Sequence, residues 1–380
     1  MGMGMPLTKT LKQQTMVEPF GRMAIAHEWV SARAGSEKVF EELARVFTEA
    51  DLYALTMTPG VELDTDARDI RTTILDRLGT LRDRRDLLLP VMPLAWRVMA
   101  TNERYDTVIT SSHACAKGFR PARAARHLCY VHAPMRYVWN PEIDNRGARK
   151  VAAPIRVALR RWDRNSVRWV DSFAANSSAV ADRIQRFYGR QARIIHPPVD
   201  TSFFAAAPVE SRDGLVTLGR LIPYKGHDIA IKIAARLNLR IKVVGRGPDE
   251  MRLRRLASDV GAKADFIVDA NDEEVRAAVA SSVALIFAAV EDFGIVPVEA
   301  QAAGTPVVGP GLGGLRDTVL EGQTGVFADD SSVDAVERAL LRLLDSEFSD
   351  VRCREHAARF GIERFRSEVL EWVAATAGGA

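Results

Sequence analysis

Two pairs of charged residues in the second half of this 380-residue chain have the types and spacing for chemistry. Arg220 and Lys225 lie in Leu218-Gly219-Arg220-Leu221-Ile222-Pro223-Tyr224-Lys225-Gly226, where a strand pattern gives way to a helix pattern. A guanidinium and an ammonium fixed across one turn can hold a diphosphate and stabilise the charge it gains as a leaving group. The plain alternative is two solvated surface cations. Glu291 and Glu299, in Glu291-Asp292-Phe293-Gly294-Ile295-Val296-Pro297-Val298-Glu299, fall on a loop and about two turns into the next helix. Two carboxylates so placed can each grip hydroxyls of a sugar, while Gly294 lets the helix N-terminus bring free N–H groups close. The alternative is an acid at a helix start plus a solvated glutamate.

Two glycine-bearing turns accompany them. Gly309-Pro310-Gly311-Leu312-Gly313-Gly314 follows a strand and could bring backbone N–H groups to a ligand oxygen, or serve as a simple turn. Gly245-Arg246-Gly247-Pro248 lacks the third glycine of a dinucleotide fingerprint. All these segments stand at expected strand ends.

The scaffold that would align them is legible as short β-rich runs alternating with helical patterns, which implies α/β architecture with parallel sheets. Strands are expected at 22–27, 51–55, 107–111, 127–132, 172–176 and 193–196, then at 214–218, 240–244, 264–268, 283–287 and 305–308. Helices are expected at 37–46, 179–187, 227–237, 296–303 and 363–375. Length favours two domains. A break near Pro197–Asp213, rich in proline and small residues, divides the chain into residues 21–205 and 206–358, with a C-terminal segment at 359–380. Two doubly wound sheets would leave a cleft at their carboxyl ends.

Composition bounds the partners. With 47% hydrophobic and 27% charged residues and a net charge of +3, the chain reads as an ordinary globular protein with no case for nucleic acid. Cys115, Cys129 and Cys353 show no zinc-ligand or disulfide pattern, which suits a reducing cytoplasm. Residues 1–20 lack an apolar core and read as a disordered leader. No apolar run approaches the roughly 20 residues that span a bilayer, so any membrane contact is expected to be peripheral.

Together these segments resemble the family 4 retaining glycosyltransferases of GT-B fold, through Arg220/Lys225, the Glu291-x7-Glu299 pair and the run Ala300–Val308. The first half resembles bacterial GDP-mannose-using mannosyltransferases of surface polysaccharide assembly, through His27-Glu28-Trp29, Cys129–Tyr137, Trp162-Asp163-Arg164 and His196-Pro197-Pro198-Val199-Asp200. The resemblance implies two facing Rossmann-like domains, with a C-terminal helix crossing back onto the first. It implies a nucleotide-diphosphate-sugar donor on the second domain, a lipid-linked or oligosaccharide acceptor on the first, and no metal or cofactor. Arg220 and Lys225 would hold the diphosphate. Glu291 and the N–H groups of Phe293, Gly294 and Ile295 would meet the hexose, Glu299 the ribose, and His132 would lie over the sugar. Gly35, Gly219 and Gly245 would line the donor site; His27 and His113 would face the acceptor. The family's Gly-Gly-x-Glu loop reads Ala34-Gly35-Ser36-Glu37 here. Alanine takes a positive φ less cheaply than glycine, which bears on backbone donation at Ala34.

The remaining features read as follows. Asp64-Thr65-Asp66 fits a metal-binding D-x-D form but lies in a polar stretch, so it is expected to be a surface loop. Arg156, Arg160, Arg164 and Arg168 recur on one helix face and read as solvated. Arg77–Trp96 sets cations beside apolar residues and is the candidate contact for an anionic leaflet, on the inner face of the plasma membrane. The competing functions are a nucleotide-sugar 2-epimerase or hydrolase on the same fold, and a non-catalytic membrane-associated binding protein.

Overall fold

The computed structural model describes residues 20–99, 102–139, 153–207 and 211–377. The expected leader lies outside these residues, apart from Phe20. The first sheet contains β1 (Met23–His27), β2 (Asp51–Ala54), β3 (Ile70–Thr72), β4 (Arg104–Ser112), β5 (Arg123–Val131), β6 (Ser172–Ala175) and β7 (Ala192–Ile194), in the order 3-2-1-4-5-6-7. The second contains β8 (Leu215–Leu218), β9 (Arg240–Val244), β10 (Lys263–Ile267), β11 (Ala284–Ile286), β12 (Val307–Pro310) and β13 (Gly325–Ala328), in the order 10-9-8-11-12-13. Every ladder is parallel. Both sheets reverse direction beside their first strand, the Rossmann arrangement that opens a crevice at the strand ends.

The central strands are apolar runs because helices cover both faces. β1 is buried at every position. On one side Val108 meets Trp96 and Phe119; on the other, Ile25 meets Phe40 and Tyr130. The C-terminal helix Ile362–Ala377 returns to this second face and buries Phe365, Val369, Trp372 and Val373 there. Each such apolar side chain contributes roughly 1.5–3 kcal/mol. Helix Thr201–Ala205, before the expected break, packs instead in the second domain, where Val199 and Phe204 join the core of Val216, Leu285 and Val307.

β3 and β13 were not expected. β3 is three half-buried or exposed residues at a sheet edge, and β13 is a four-residue edge strand with a glycine at its start, too short for either periodicity to register. No helix among the described residues is long and apolar enough to cross a membrane.

Candidate active site

The cation turn is built by backbone geometry. β8 ends at Leu218, Gly219 takes φ +142°, and Gly226 takes φ +72° ahead of helix His227–Arg236. Between them Leu221 is fully buried and anchors the turn. His227 fastens it further: its Nε2–H donates to the Arg220 carbonyl at 3.2 Å and its Nδ1 accepts from Thr217 Oγ1 at 2.9 Å. A carbonyl can only accept, which assigns this tautomer. Burial lowers the His227 pKa to about 4, keeping the ring neutral. The Arg220 side chain is exposed, while Lys225 pairs with Glu291.

The acidic loop follows β11. Gly294, at φ +87°, starts helix Ile295–Ala302. Of the two readings of the glycine run 309–314, a ligand-facing turn or a simple one, the structure shows a turn that supports the acidic loop. Gly314 N–H donates to Glu291 O at 2.9 Å, and a Cβ on Gly314 would lie 2.2 Å from Phe293 Cα. Glycine here lets one loop sit directly behind the other. Asp292, next to Glu291, reaches across to the first domain and pairs with both Arg136 and Arg183. Burial, and then the like charge of Arg136, brings Arg183 down to about 10. Asp317 adds a second link, accepting from Ser178 N at 2.6 Å at the start of helix Ser178–Tyr188.

The first domain contributes a histidine cluster set by strand register. His27 lies opposite Ser111 across β1 and β4, and His132 follows β5. His27 Nδ1 is 3.0 Å from Ser111 Oγ, which is 2.8 Å from His132 Nε2. The His27, His113 and His132 rings lie 6.1–6.3 Å apart. Desolvation, then the neighbouring imidazole of His113, lowers His27 to about 3 and His132 well below its ordinary value. His27 Nε2 is buried without a partner. A buried N–H left unpaired is rarer than an unpaired acceptor, so the proton belongs on His27 Nδ1. The serine hydroxyl then donates to His132 Nε2, leaving His132 protonated on Nδ1.

Glu28 and Asp163, from the same motifs, are structural. Glu28 Oε1 accepts from Ser112 Oγ and from the N–H groups of Ala114 and Ala116. Asp163 is buried among Lys117, Trp139 Nε1 and Tyr188 Oη. Ala34 is extended (φ −122°, ψ −168°) as the N-cap of helix Gly35–Val46, so no glycine is needed there. At Gly35 a Cβ would lie 2.7 Å from Ile295 Cδ1 of the opposite domain, the tip of a side chain that can turn aside.

These parts enclose a cavity of about 820 Å³ between the two sheets, within the size range of small-molecule sites. Arg220, Lys225, Glu291, Phe293, Gly294 and Ile295 line it from the second domain; Gly35, His113 and His132 line it from the first. Four expected residues do not. His27 lies behind His132, fully buried. Gly219 and Gly245 pack on each other, a Cβ on Gly245 falling 2.0 Å from Gly219 O, and Arg246 and Gly247 line the wall in their place. Glu299 is half-buried in helix Ile295–Ala302, where desolvation raises its pKa against the pull of Lys38. Trp29, Arg136, Tyr137 and Asn176 also line it. Sequence spacing did not single them out as contacts, although Trp29, Arg136 and Tyr137 sit inside the quoted motifs.

Of the other segments, Asp64 pairs with Arg45, and Arg68 donates to the carbonyls of Phe47, Thr48 and Ala50, closing the end of helix Gly35–Val46. Among the described residues no group of three or more His, Cys, Asp and Glu is placed to hold a metal ion. Arg160 and Arg164 lie over Trp139, and Arg164 stays exposed to water.

The sequence model of Glycosyltransferase Family 4 matches residues 33–203, and that of Glycosyl transferases group 1 matches residues 199–360. The chain belongs to the family 4 glycosyltransferases. Among family relatives, a D-inositol 3-phosphate glycosyltransferase of Acidothermus cellulolyticus is 34% identical over 50% of this chain and 50% of its own length. A GDP-mannose-dependent alpha-(1-6)-phosphatidylinositol monomannoside mannosyltransferase of Mycolicibacterium smegmatis is 34% identical over 50% of this chain and 56% of its own. The matches thus span about half the length of these relatives. The GT-B fold of the family is shared with Anabaena HepE, solved in complex with UDP and glucose (TM-score 0.68, 17% identity, 93% of this chain and 100% of that one). It is shared too with the lipopolysaccharide outer core galactosyltransferase WaaB (TM-score 0.66, 14% identity, 93% and 99%).

Proposed function

We propose that this family 4 protein is a retaining glycosyltransferase that moves a hexose, mannose from GDP-mannose, to a lipid-linked or oligosaccharide acceptor in surface polysaccharide or glycolipid synthesis. The observation that carries this reading is the convergence of Arg220, Lys225, Glu291 and His132 on one cavity between the domains. The name of the Mycolicibacterium smegmatis relative, a GDP-mannose-dependent mannosyltransferase, supports the choice of donor.

The donor diphosphate sits between Arg220 and Lys225, drawing Lys225 from Glu291 and releasing that carboxylate to accept from hexose hydroxyls. The N–H groups at Phe293, Gly294 and Ile295 face the same ligand at a helix start. The His132 Nδ1–H donates toward the sugar. The C1–O bond to the diphosphate breaks as the acceptor oxygen bonds C1 from the same face. The acceptor proton passes to the departing phosphate oxygen, so no side-chain base and no metal is used. The two cations stabilise the diphosphate formed. The enzyme works in the cytoplasm, peripherally on the inner face of the plasma membrane.

The test is a thermal-shift screen with GDP-mannose, UDP-glucose and UDP-GlcNAc, followed by NMR of the product's anomeric configuration. GDP-mannose is expected to raise the melting temperature most and the product to keep the α configuration. Donor consumption at full rate without acceptor would overturn the reading in favour of a hydrolase or epimerase.

A further inference from the structure

A second hollow, about 430 Å³, opens at the strand-start end of the first sheet, away from the cleft. Its walls are the segment Phe119–Ala125 ahead of and into β5 and the residues Arg168, Trp169 and Asp171 ahead of β6. Two guanidinium carbons stand over one indole: Arg120 lies 4.1 Å and Arg168 5.0 Å from the Trp169 ring centroid. Burial lowers the Arg120 pKa, as do Arg97 and Arg168, which marks three cations crowded together. Among the described residues none of the three is ion-paired with a carboxylate. The lining acid, Asp171, is occupied by the His127 backbone N–H at 2.7 Å. The lining sets Arg120, Arg123 and Arg168 against Asp171 alone, and this excess of positive charge favours an anion.

The neighbouring surface narrows the choice of anion. Helix Met92–Val98 carries Arg97 and packs its buried Trp96 edge-on against Phe119, with ring centroids 5.7 Å apart. That packing turns Leu94 (59% exposed) and Val98 (55%) into solvent, and Leu87 and Val91, in the short helix and turn before it, are exposed as well. A soluble phosphate would satisfy the arginines and leave this apolar stripe in water. A lipid surface covers both.

We propose that this end of the molecule docks on a membrane, with Arg97, Arg120 and Arg168 taking the phosphate of an anionic phospholipid headgroup beside Trp169 while Leu94 and Val98 enter the acyl boundary. The proposal rests on the peripheral placement given above, but not on the transfer reaction, so vesicle binding tests it apart from turnover. Trp169, with an apolar ring and a polar N–H, suits the interfacial depth.

The experiment is co-sedimentation of the full chain with vesicles of phosphatidylglycerol and phosphatidylcholine, or of phosphatidylcholine alone, at low and high salt. Binding is expected only with phosphatidylglycerol and to weaken with salt. Arg120→Gln and Arg168→Gln are each expected to lower affinity about fivefold, the worth of one cation near an anionic surface. Leu94→Ser with Val98→Ser should weaken it at every salt concentration. Melting curves confirm that each variant folds, and Arg97→Gln, at an exposed helical site, repeats the arginine test without disturbing the indole. Equal binding to phosphatidylcholine vesicles, or unchanged binding by the arginine variants, overturns the proposal. So does stabilisation by glycerol 3-phosphate as strong as that by vesicles, which reassigns the hollow to a soluble ligand.

Discussion

The Lys225 ammonium is paired with the Glu291 carboxylate in the cavity that Arg220 also lines. The pair holds both side chains in place before a ligand arrives. An entering diphosphate must exchange one anionic partner of Lys225 for another. Arg220 has no carboxylate partner among the described residues, so its charge is available at once.

Arg220→Ala and Lys225→Ala are each expected to lower kcat by about 10²–10³, the usual cost of removing one preorganised donor to developing charge. Steady-state kinetics with GDP-mannose and an acceptor extract checks this. Wild-type turnover in both variants removes the two cations from catalysis.

Glu291→Gln keeps the shape of the side chain and releases Lys225. Nucleotide binding should hold or tighten while kcat falls, a separation visible by comparing calorimetric GDP affinity with turnover. Parallel loss of both would move Glu291 to the ribose or to a structural role.

Gly314→Ala tests the loop-on-loop support. The residue has φ −71°, so alanine carries no backbone strain, yet its Cβ would fall 2.2 Å from Phe293 Cα. Activity should drop at least tenfold, about 1.4 kcal/mol of lost transition-state stabilisation, although the glycine touches no substrate. Gly322→Ala, whose Cβ meets nothing within 4 Å but whose φ of +73° strains an alanine, should lower the melting temperature without the loss of activity.

Ser111→Ala breaks the relay between His27 and His132. Without the hydroxyl donor, His132 can shift its proton to Nε2, and kcat should fall with nucleotide affinity unchanged. Nitrogen chemical shifts of the labelled imidazoles report the tautomer directly; an unaltered His132 pattern would refute the assignment.

Acid should loosen the cation turn. His227 titrates near 6.5 when unfolded but at about 4 in the fold, and burial does the same to His127. Between these values the unfolded chain binds more protons. Stability is therefore full above pH 6.5 and declines as the pH falls toward 4, by up to about 1.4 kcal/mol per pH unit for each group. His227→Gln preserves both hydrogen bonds without the titration, so its melting temperature should lose less than wild type between pH 7 and pH 4.5.

Much of the architecture was legible because secondary-structure periodicity is local. Apolar runs and intervening amphipathic segments located eleven of the strands, and Arg220, Lys225 and Glu291 stood out because charged residues at strand ends meet at a crevice in any doubly wound sheet. His113 and His132 reached the cavity for the same reason. Spacing reveals the turns at Gly219 and Gly245 but not that the Gly219 carbonyl fills the space beside the Gly245 Cα, leaving Arg246 and Gly247 on the cavity wall.

What the chain order alone determined is the alternation that makes two parallel sheets, and the few charged side chains at their carboxyl ends. Only the tertiary structure decided that Asp292 binds Arg136 and Arg183, residues 156 and 109 positions away. It alone decided that the glycine run supports the acidic loop, and that His27 meets Ser111 rather than the cavity. Those relations arise where distant segments pack, and packing depends on the shape and charge of both partners, which no local period encodes.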